Sequence, residues 1–185
     1  ELQRTIKTSH KFYASYNFLN GVIVYNGQPY YNIAFKYELL NDLILLEYTN
    51  KRVNLLSLNP EMVSGFQIMD EKFKRLEVSP ELNSIYRNGF FKEAYKNDDL
   101  SLYLKYIKRA TERTDRNKTR YIFKESIIYV IKHKKKYYKI TSKKSLFKVF
   151  PSHEKTIRLY YKSNPTLRKN NKELFFVNLL KKLDN

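Results

Sequence analysis

Short runs of aromatic and β-branched residues, broken every few positions by Asn, Asp, Gly or Pro, fill the first part of the chain. Phe18, Val22, Val24 and Tyr30 lie in such runs, punctuated by Asn20-Gly21 and Asn26-Gly27. Asn-Gly accepts φ > 0 at both central positions of a tight turn, so both dipeptides predict hairpin turns. Tyr31 to Tyr37 leads to a predicted turn at Asn41-Asp42, and Leu43 to Tyr48 reads as the returning strand. Val53 to Leu58 and Met62 to Ile68 continue the pattern around Asn59-Pro60. Connections this short allow only antiparallel pairing, which predicts a meander.

Pro80 to Asn88 reads as a connector, after which Phe90 to Lys96 and Leu100 to Lys108 flank the turn Asn97-Asp98-Asp99. Alternation places Leu100, Leu102, Leu104 and Tyr106 on one face, with Ser101, Tyr103 and Lys105 on the other. Ala110 to Thr119 is almost wholly polar and predicts an exposed loop or hairpin tip. Tyr121 to Lys124, Ile127 to Lys132 and Lys136 to Ile140 read as three short strands. Helices close the chain. Ser142 is a predicted N-cap for Lys143 to Phe150, which Pro151 stops, and Ser152 for Glu154 to Lys162, which Asn164-Pro165 ends. Asn171 caps a last helix whose apolar residues include Leu174, Phe175, Val177, Leu179, Leu180 and Leu183. The expected fold class is α+β, mainly antiparallel β meander and sheets with two or three C-terminal helices.

Composition changes this picture through charge. The 185 residues carry 36 Lys+Arg against 18 Asp+Glu, a net charge of +18. Glu1 to Asp99 holds 12 basic and 12 acidic residues, whereas Leu100 to Asn185 holds 24 against 6, so the second half carries the entire excess. An AT-rich codon bias accounts for abundant Lys, Asn, Ile and Tyr, but it acts on both halves alike; the asymmetry favours a functional cationic face. It also suggests a neutral β-rich lobe over residues 1–80 and a cationic hairpin sheet with helices over 81–185, or one continuous domain. The absence of cysteine excludes disulfides, thiolate metal sites and a cysteine nucleophile. A start at Glu1 rather than Met suggests a removed N-terminal segment, a signal peptide being one such segment. No apolar run reaches the length of a membrane-spanning helix.

Several segments of the second half carry a resemblance. Gly89-Phe90-Phe91 with Tyr95, the strand Leu100 to Lys108, the hairpin Tyr129 to Ile140 and the helix end Leu146 to Pro151 follow one another in a recognisable order. This order resembles a group of uncharacterised exported proteins of Bacteroidota. The Asn20 to Gly27 segment and the Asn41-Asp42 turn are similar to that group's first half. The hairpin departs from the pattern, since His133-Lys134-Lys135 stands where the group has a glycine turn. The resemblance implies export and a place in the cell envelope, in the periplasm or associated with the outer membrane. It implies no catalytic residue.

Candidate chemistry is sparse. His10, His133 and His153 share no metal-ligand spacing, and His133 and His153 are expected to be exposed. Asp98 and Asp99 are expected to serve the turn. With four glycines there is no phosphate-binding loop and no dinucleotide fingerprint. The positive signal is Lys132, Lys134, Lys135, Lys136, Tyr137, Tyr138 and Lys139, followed by Lys143 and Lys144. Ammonium groups there attract phosphate or carboxylate, and tyrosine rings stack on a base or sugar. The same lysines also protect an edge strand from unwanted pairing. Arg109, Arg113, Arg116 and Arg120 form a second cluster, suited to bidentate recognition of an acidic partner.

The first expectation is therefore a non-enzymatic accessory or binding module of the envelope, possessing no cofactor. It would present a cationic surface to an anionic protein, lipid or lipopolysaccharide, as a free module or as a subunit of an outer-membrane assembly. The alternative is a nucleic-acid-binding protein using the Lys/Tyr hairpin, in which case the chain is cytoplasmic. A hydrolase assembled from scattered carboxylates ranks third.

Overall fold

Backbone pairing begins at the Asn26-Gly27 turn, where φ is +51° and +77°. It joins β1 (Leu19–Tyr25) to β2 (Gln28–Glu38) as expected for a two-residue hairpin loop. In the computed structural model, which describes residues 10–50, 53–115 and 118–184, the remaining strands are β3 (Leu43–Asn50), β4 (Val53–Ser57), β5 (Val63–Ile68), β6 (Glu71–Arg75), β7 (Phe90–Lys96), β8 (Leu100–Asp115), β9 (Lys118–His133) and β10 (Lys136–Ile140). The helices are α1 (Lys143–Val149), α2 (Glu154–Ser163), α3 (Pro165–Asn170) and α4 (Lys172–Asp184). The fold is thus α+β, an antiparallel β structure followed by helices gathered at the C-terminal end. No described helix is long and apolar enough to cross a membrane.

The chain forms two compact units. The first comprises residues up to Leu76 with Arg87–Phe90 and Tyr106–Ile127; the second comprises Glu77–Tyr86, Phe91–Lys105 and the chain from Ile128 onward. The long strands β8 and β9 contribute to both.

Strands of the first unit run in the order β6-β5-β1-β2-β3-β4. This is not a simple meander, because β5 returns to pair with β1 on the side opposite β2. Asn20-Gly21 therefore lies inside a strand paired on both sides, Gly21 facing Ile33 on β2 and Ile68 on β5, and the predicted turn there is corrected. Glycine serves close approach instead: a Cβ at this position would sit 2.1 Å from the Gln67 carbonyl oxygen and 2.8 Å from the Phe35 ring. Phe66 stacks on Phe73 at 4.6 Å and meets Tyr37 edge-on at 4.9 Å, forming an aromatic core. Lys108, only 2% exposed, donates from Nζ to the carbonyls of His10 and Phe12 at 3.1 and 2.7 Å, with Glu125 3.6 Å away. That satisfied cation holds the segment before β1 against the core.

Strands of the second unit run in the order β10-β9-β8-β7. Leu100, Leu102 and Leu104 are buried, as are Tyr129 and Ile131 of β9, and the Phe176 ring of α4 lies 4.9 Å from Tyr129. Lys92 forms an ion pair with Glu173 of α4 at 2.7 Å. Ser101, Tyr103 and Lys105 are buried as well, so the alternation in this strand does not separate a wet face from a dry one. Tyr103 meets Tyr137, Lys105 lies over Phe91, and Leu82 and Ile85 of the connector are buried.

Other expectations are also corrected. Residues 110–115 are strand rather than loop, since β8 runs to Asp115; β9 is one strand where two were predicted. β6 and α3 were not foreseen. The α2 helix begins after a short 3-10 turn with His153 as N-cap and no side-chain cap bond, so Ser152 does not cap it.

Candidate cationic cleft

The second unit carries a cleft of about 590 Å³ built from the end of β10 and from α1, α2, α3 and α4. Its charged lining is Lys143, Arg158, Lys162, Arg168 and Lys172, with no carboxylate among the lining residues.

Each cation is placed by a local feature. Ser142 closes a capping box: its Oγ accepts from Ser145 N at 3.4 Å, and Ser145 Oγ accepts from Ser142 N at 3.2 Å. This fixes where α1 starts and where Lys143 leaves the backbone. On α2, Arg158, Tyr161 and Lys162 occupy positions i, i+3 and i+4, one face of the helix, while buried Ile157 faces inward. Phe175 of α4 meets Tyr160 and Tyr161 at 5.0 and 4.9 Å, which holds α2 on α4. Pro165 is the first residue of α3, where its missing N–H costs nothing, and α3 carries Arg168 into the cleft. Asn171 Oδ1 accepts from Leu174 N at 2.9 Å, an N-cap foreseen from the sequence, and Lys172 follows as the first residue of α4.

Aromatic rings support these charges. Lys143 Nζ lies 5.7 Å and Arg168 Cζ 5.3 Å from the centroid of the same Tyr161 ring. Lys172 Nζ lies 4.8 Å from the Tyr129 ring and 5.9 Å from that of Phe176. Arg158 stacks at 4.7 Å on Phe147 and is neutralised by Glu154, which accepts from its Nε at 2.9 Å. Burial pushes the Tyr161 hydroxyl above its ordinary range, partly offset by Arg168. Burial, then the Glu173 charge, pushes Tyr129 up to about 12, so both rings stay neutral at physiological pH.

The acidic groups of α2 and α4 already have partners. Glu154 holds Arg158, Glu173 holds Lys92, and Asp184 accepts from Tyr95 at 2.7 Å and from Asn97. Among the described residues, no carboxylate pairs with Lys143, Lys162, Arg168 or Lys172.

Of the residues singled out from the sequence, only Lys143 lines this cleft; Lys144 is exposed on α1 outside the lining. Lys134 and Lys135 form the exposed β9–β10 turn, both with positive φ (49° and 67°). Lys136 and Lys139 are exposed on β10; the Glu81 carboxyl is held below its usual range first by a backbone hydrogen bond, then by Ser79, and last by the charge of Lys136. Lys132 lies over the Tyr137 ring at 5.4 Å. Burial raises Tyr137 first, and the charges of Glu77 and Glu81 raise it further, so this patch mixes both signs. Tyr138 is half-buried. Arg109 and Arg113 are exposed on β8 in the first unit. Arg116 and the side chain of Arg120 lie outside the described residues.

His133 and His153 are half-buried rather than exposed, both against Phe150; the His133 ring stacks on it at 5.0 Å. Burial, then Lys134, lowers the His133 pKa. Ser152 Oγ and His153 Nδ1 are 3.0 Å apart. Asp98 and Asp99 sit at the β7–β8 turn, where Asp98 N donates to Asn97 Oδ1. Among the described residues no group of three or more His, Asp or Glu is placed to hold a metal ion.

Sequence reasoning missed Arg158, Lys162, Arg168 and Lys172. The Arg158–Tyr161–Lys162 spacing was the available signal, since it marks a cationic and aromatic face once α2 is recognised. No family model, curated protein or solved structure matches the chain.

Proposed function

We propose that the chain is a non-enzymatic binding module that takes an anionic group into the cleft of its second unit. The observation that carries this reading is the concave cluster of Lys143, Lys162, Arg168 and Lys172, drawn from four helices, three of the four cations supported by rings and none paired with a carboxylate among the described residues. Like charges gathered in one cleft repel one another, and an anion that enters relieves the repulsion. Arg168 supplies a planar fork for two oxygens, and the lysines supply point charges. The resemblance to exported Bacteroidota proteins supports a place in the bacterial envelope, where phosphorylated and acidic surfaces are abundant.

Nucleic-acid binding through the β9–β10 hairpin is the second reading. One feature favours it: Lys134 and Lys135 hold left-handed backbone that Asn-Gly would adopt at lower cost. Against it stand the half-buried Tyr137 and the acidic Glu77 and Glu81 facing that ring.

A matched pair of double variants separates the two readings. Lys143→Glu with Arg168→Glu changes the cleft, and Lys134→Glu with Lys135→Glu changes the turn, each altering net charge equally. By calorimetry with pyrophosphate, the cleft pair is expected to lose about 100-fold in affinity and the turn pair less than about threefold. Equal losses would remove the cleft's special role.

A further inference from the structure

Resting on the reading of the cleft as an anion site, we propose that its ligand class is a polyol bisphosphate: two phosphate monoesters on one compact hydroxylated body, free or as a lipid headgroup.

Charge gives the first argument. Four cations in the cleft have no carboxylate partner among the described residues, whereas Arg158 is already paired with Glu154. A phosphate monoester carries about −1.5 to −2 near neutral pH, so two balance the cleft. Carboxylates or sulfates carry a single charge each, and four would have to converge.

Placement gives the second. Three of the four cations divide between different rings. Lys143 and Arg168 share Tyr161, so their charges are no further apart than the sum of their 5.7 and 5.3 Å distances to it. Lys172 stands instead on Tyr129 and Phe176, at the first residue of a 13-residue helix whose positive end adds to its charge. A cation pair on one ring and a further cation on another, within a cleft of about 590 Å³, suit two anionic groups on one small molecule.

The lining also selects the body between the phosphates. The lining rings are Tyr161 and Phe176; a guanidinium and an ammonium lie over the first, and the second is only 3% exposed. Neither ring is left open for base stacking, on which sequence-tolerant single-strand binding depends. Thr141, by contrast, is exposed in the lining and offers a hydroxyl to a polyol.

The test uses the whole chain in calorimetry at constant ionic strength, with a hexose bisphosphate, the corresponding monophosphate, citrate and a short single-stranded oligonucleotide. The bisphosphate is expected to bind about tenfold or more tightly than either the monophosphate or citrate, and to lose this advantage in Lys143→Glu/Arg168→Glu. Phosphatidylcholine vesicles with and without a bisphosphorylated inositol lipid form a further arm. Binding to those vesicles with none to the hexose bisphosphate assigns the headgroup as the source; binding to both assigns the shared chemistry. Citrate or the oligonucleotide matching the bisphosphate, with all lost in the cleft variant, overturns the bisphosphate inference and leaves the anion site standing. Absence of binding by every probe overturns both.

Discussion

Replacing Gly21 by alanine is expected to lower the melting temperature by about 10 °C, the equivalent of about 3 kcal/mol for a chain of this size. The added Cβ would lie 2.1 Å from the carbonyl oxygen of Gln67, a backbone atom of the strand β5 that pairs with β1. The second obstruction, at 2.8 Å, is the ring of Phe35, which is fully buried and cannot swing away. Two paired strands must therefore separate, or β1 must shift against both neighbours, and either response disturbs the Phe66–Phe73–Tyr37 packing. Gly27 supplies the internal control. Its φ is +77° but nothing lies within 4 Å of a Cβ built there, so Gly27→Ala should cost about 1 kcal/mol, the strain of a left-handed alanine. Differential scanning calorimetry of the two variants reads the difference. Comparable small losses in both would show that β1 is not clamped between β2 and β5.

The second large effect is an alkaline transition. Tyr37 is 1% exposed, and its hydroxyl donates to Asp42 Oδ1 at 2.5 Å. Burial, then the Asp42 charge and that hydrogen bond, holds its pKa well above the ordinary value. Tyr129, 5% exposed, is pushed up to about 12, by burial first and Glu173 second. In the unfolded chain tyrosines ionise near 10. Below that pH both states keep these protons, and the stabilisation is fully present. Above it the unfolded chain releases protons that the folded protein retains, so stability falls as pH rises towards 12. A cooperative loss of circular dichroism, coincident with a jump in phenolate absorbance, is expected in that window. Tyr37→Phe should make the pH dependence shallower there, while costing about 1–3 kcal/mol at neutral pH because the buried Asp42 loses a donor. Smooth phenol titration with unchanged dichroism past pH 12 would contradict this account.

How far the sequence announced the structure varies with physical cause. Asn26-Gly27 was legible because it lies between two apolar runs and both residues take positive φ. Asn20-Gly21 is the same dipeptide, yet it occupies a strand paired on both sides; nothing local distinguishes a glycine needed for φ from one needed for closeness. Residues 110–114 read as loop because their side chains are almost all polar, but ladder bonds join backbones, and a strand with exposed side chains needs no apolar alternation. β6 offers Phe73 as its one buried position. Asn164-Pro165 was correctly read as ending a helix, but the proline also opens the next one.

The site followed similar logic. A run of lysines between residues 132 and 139 is conspicuous in a linear reading, and most of it proves to be a turn and the exposed side of β10. The cleft instead collects one or two cations from each of four helices separated by caps and a proline. Of the described residues singled out from the sequence only Lys143, just beyond that run, lines the cleft, and its place is fixed by Ser142, whose capping role the sequence did reveal.

The most direct measurement is an amide-resolved magnetic resonance titration of the native chain with pyrophosphate. Saturable shifts confined to Ile140–Lys143, Arg158–Lys162 and Arg168–Phe176, with Lys134 and Lys135 nearly still, are the result this account requires. Shifts centred on the β9–β10 turn or on Arg109 and Arg113, leaving the helical residues unmoved, would contradict it.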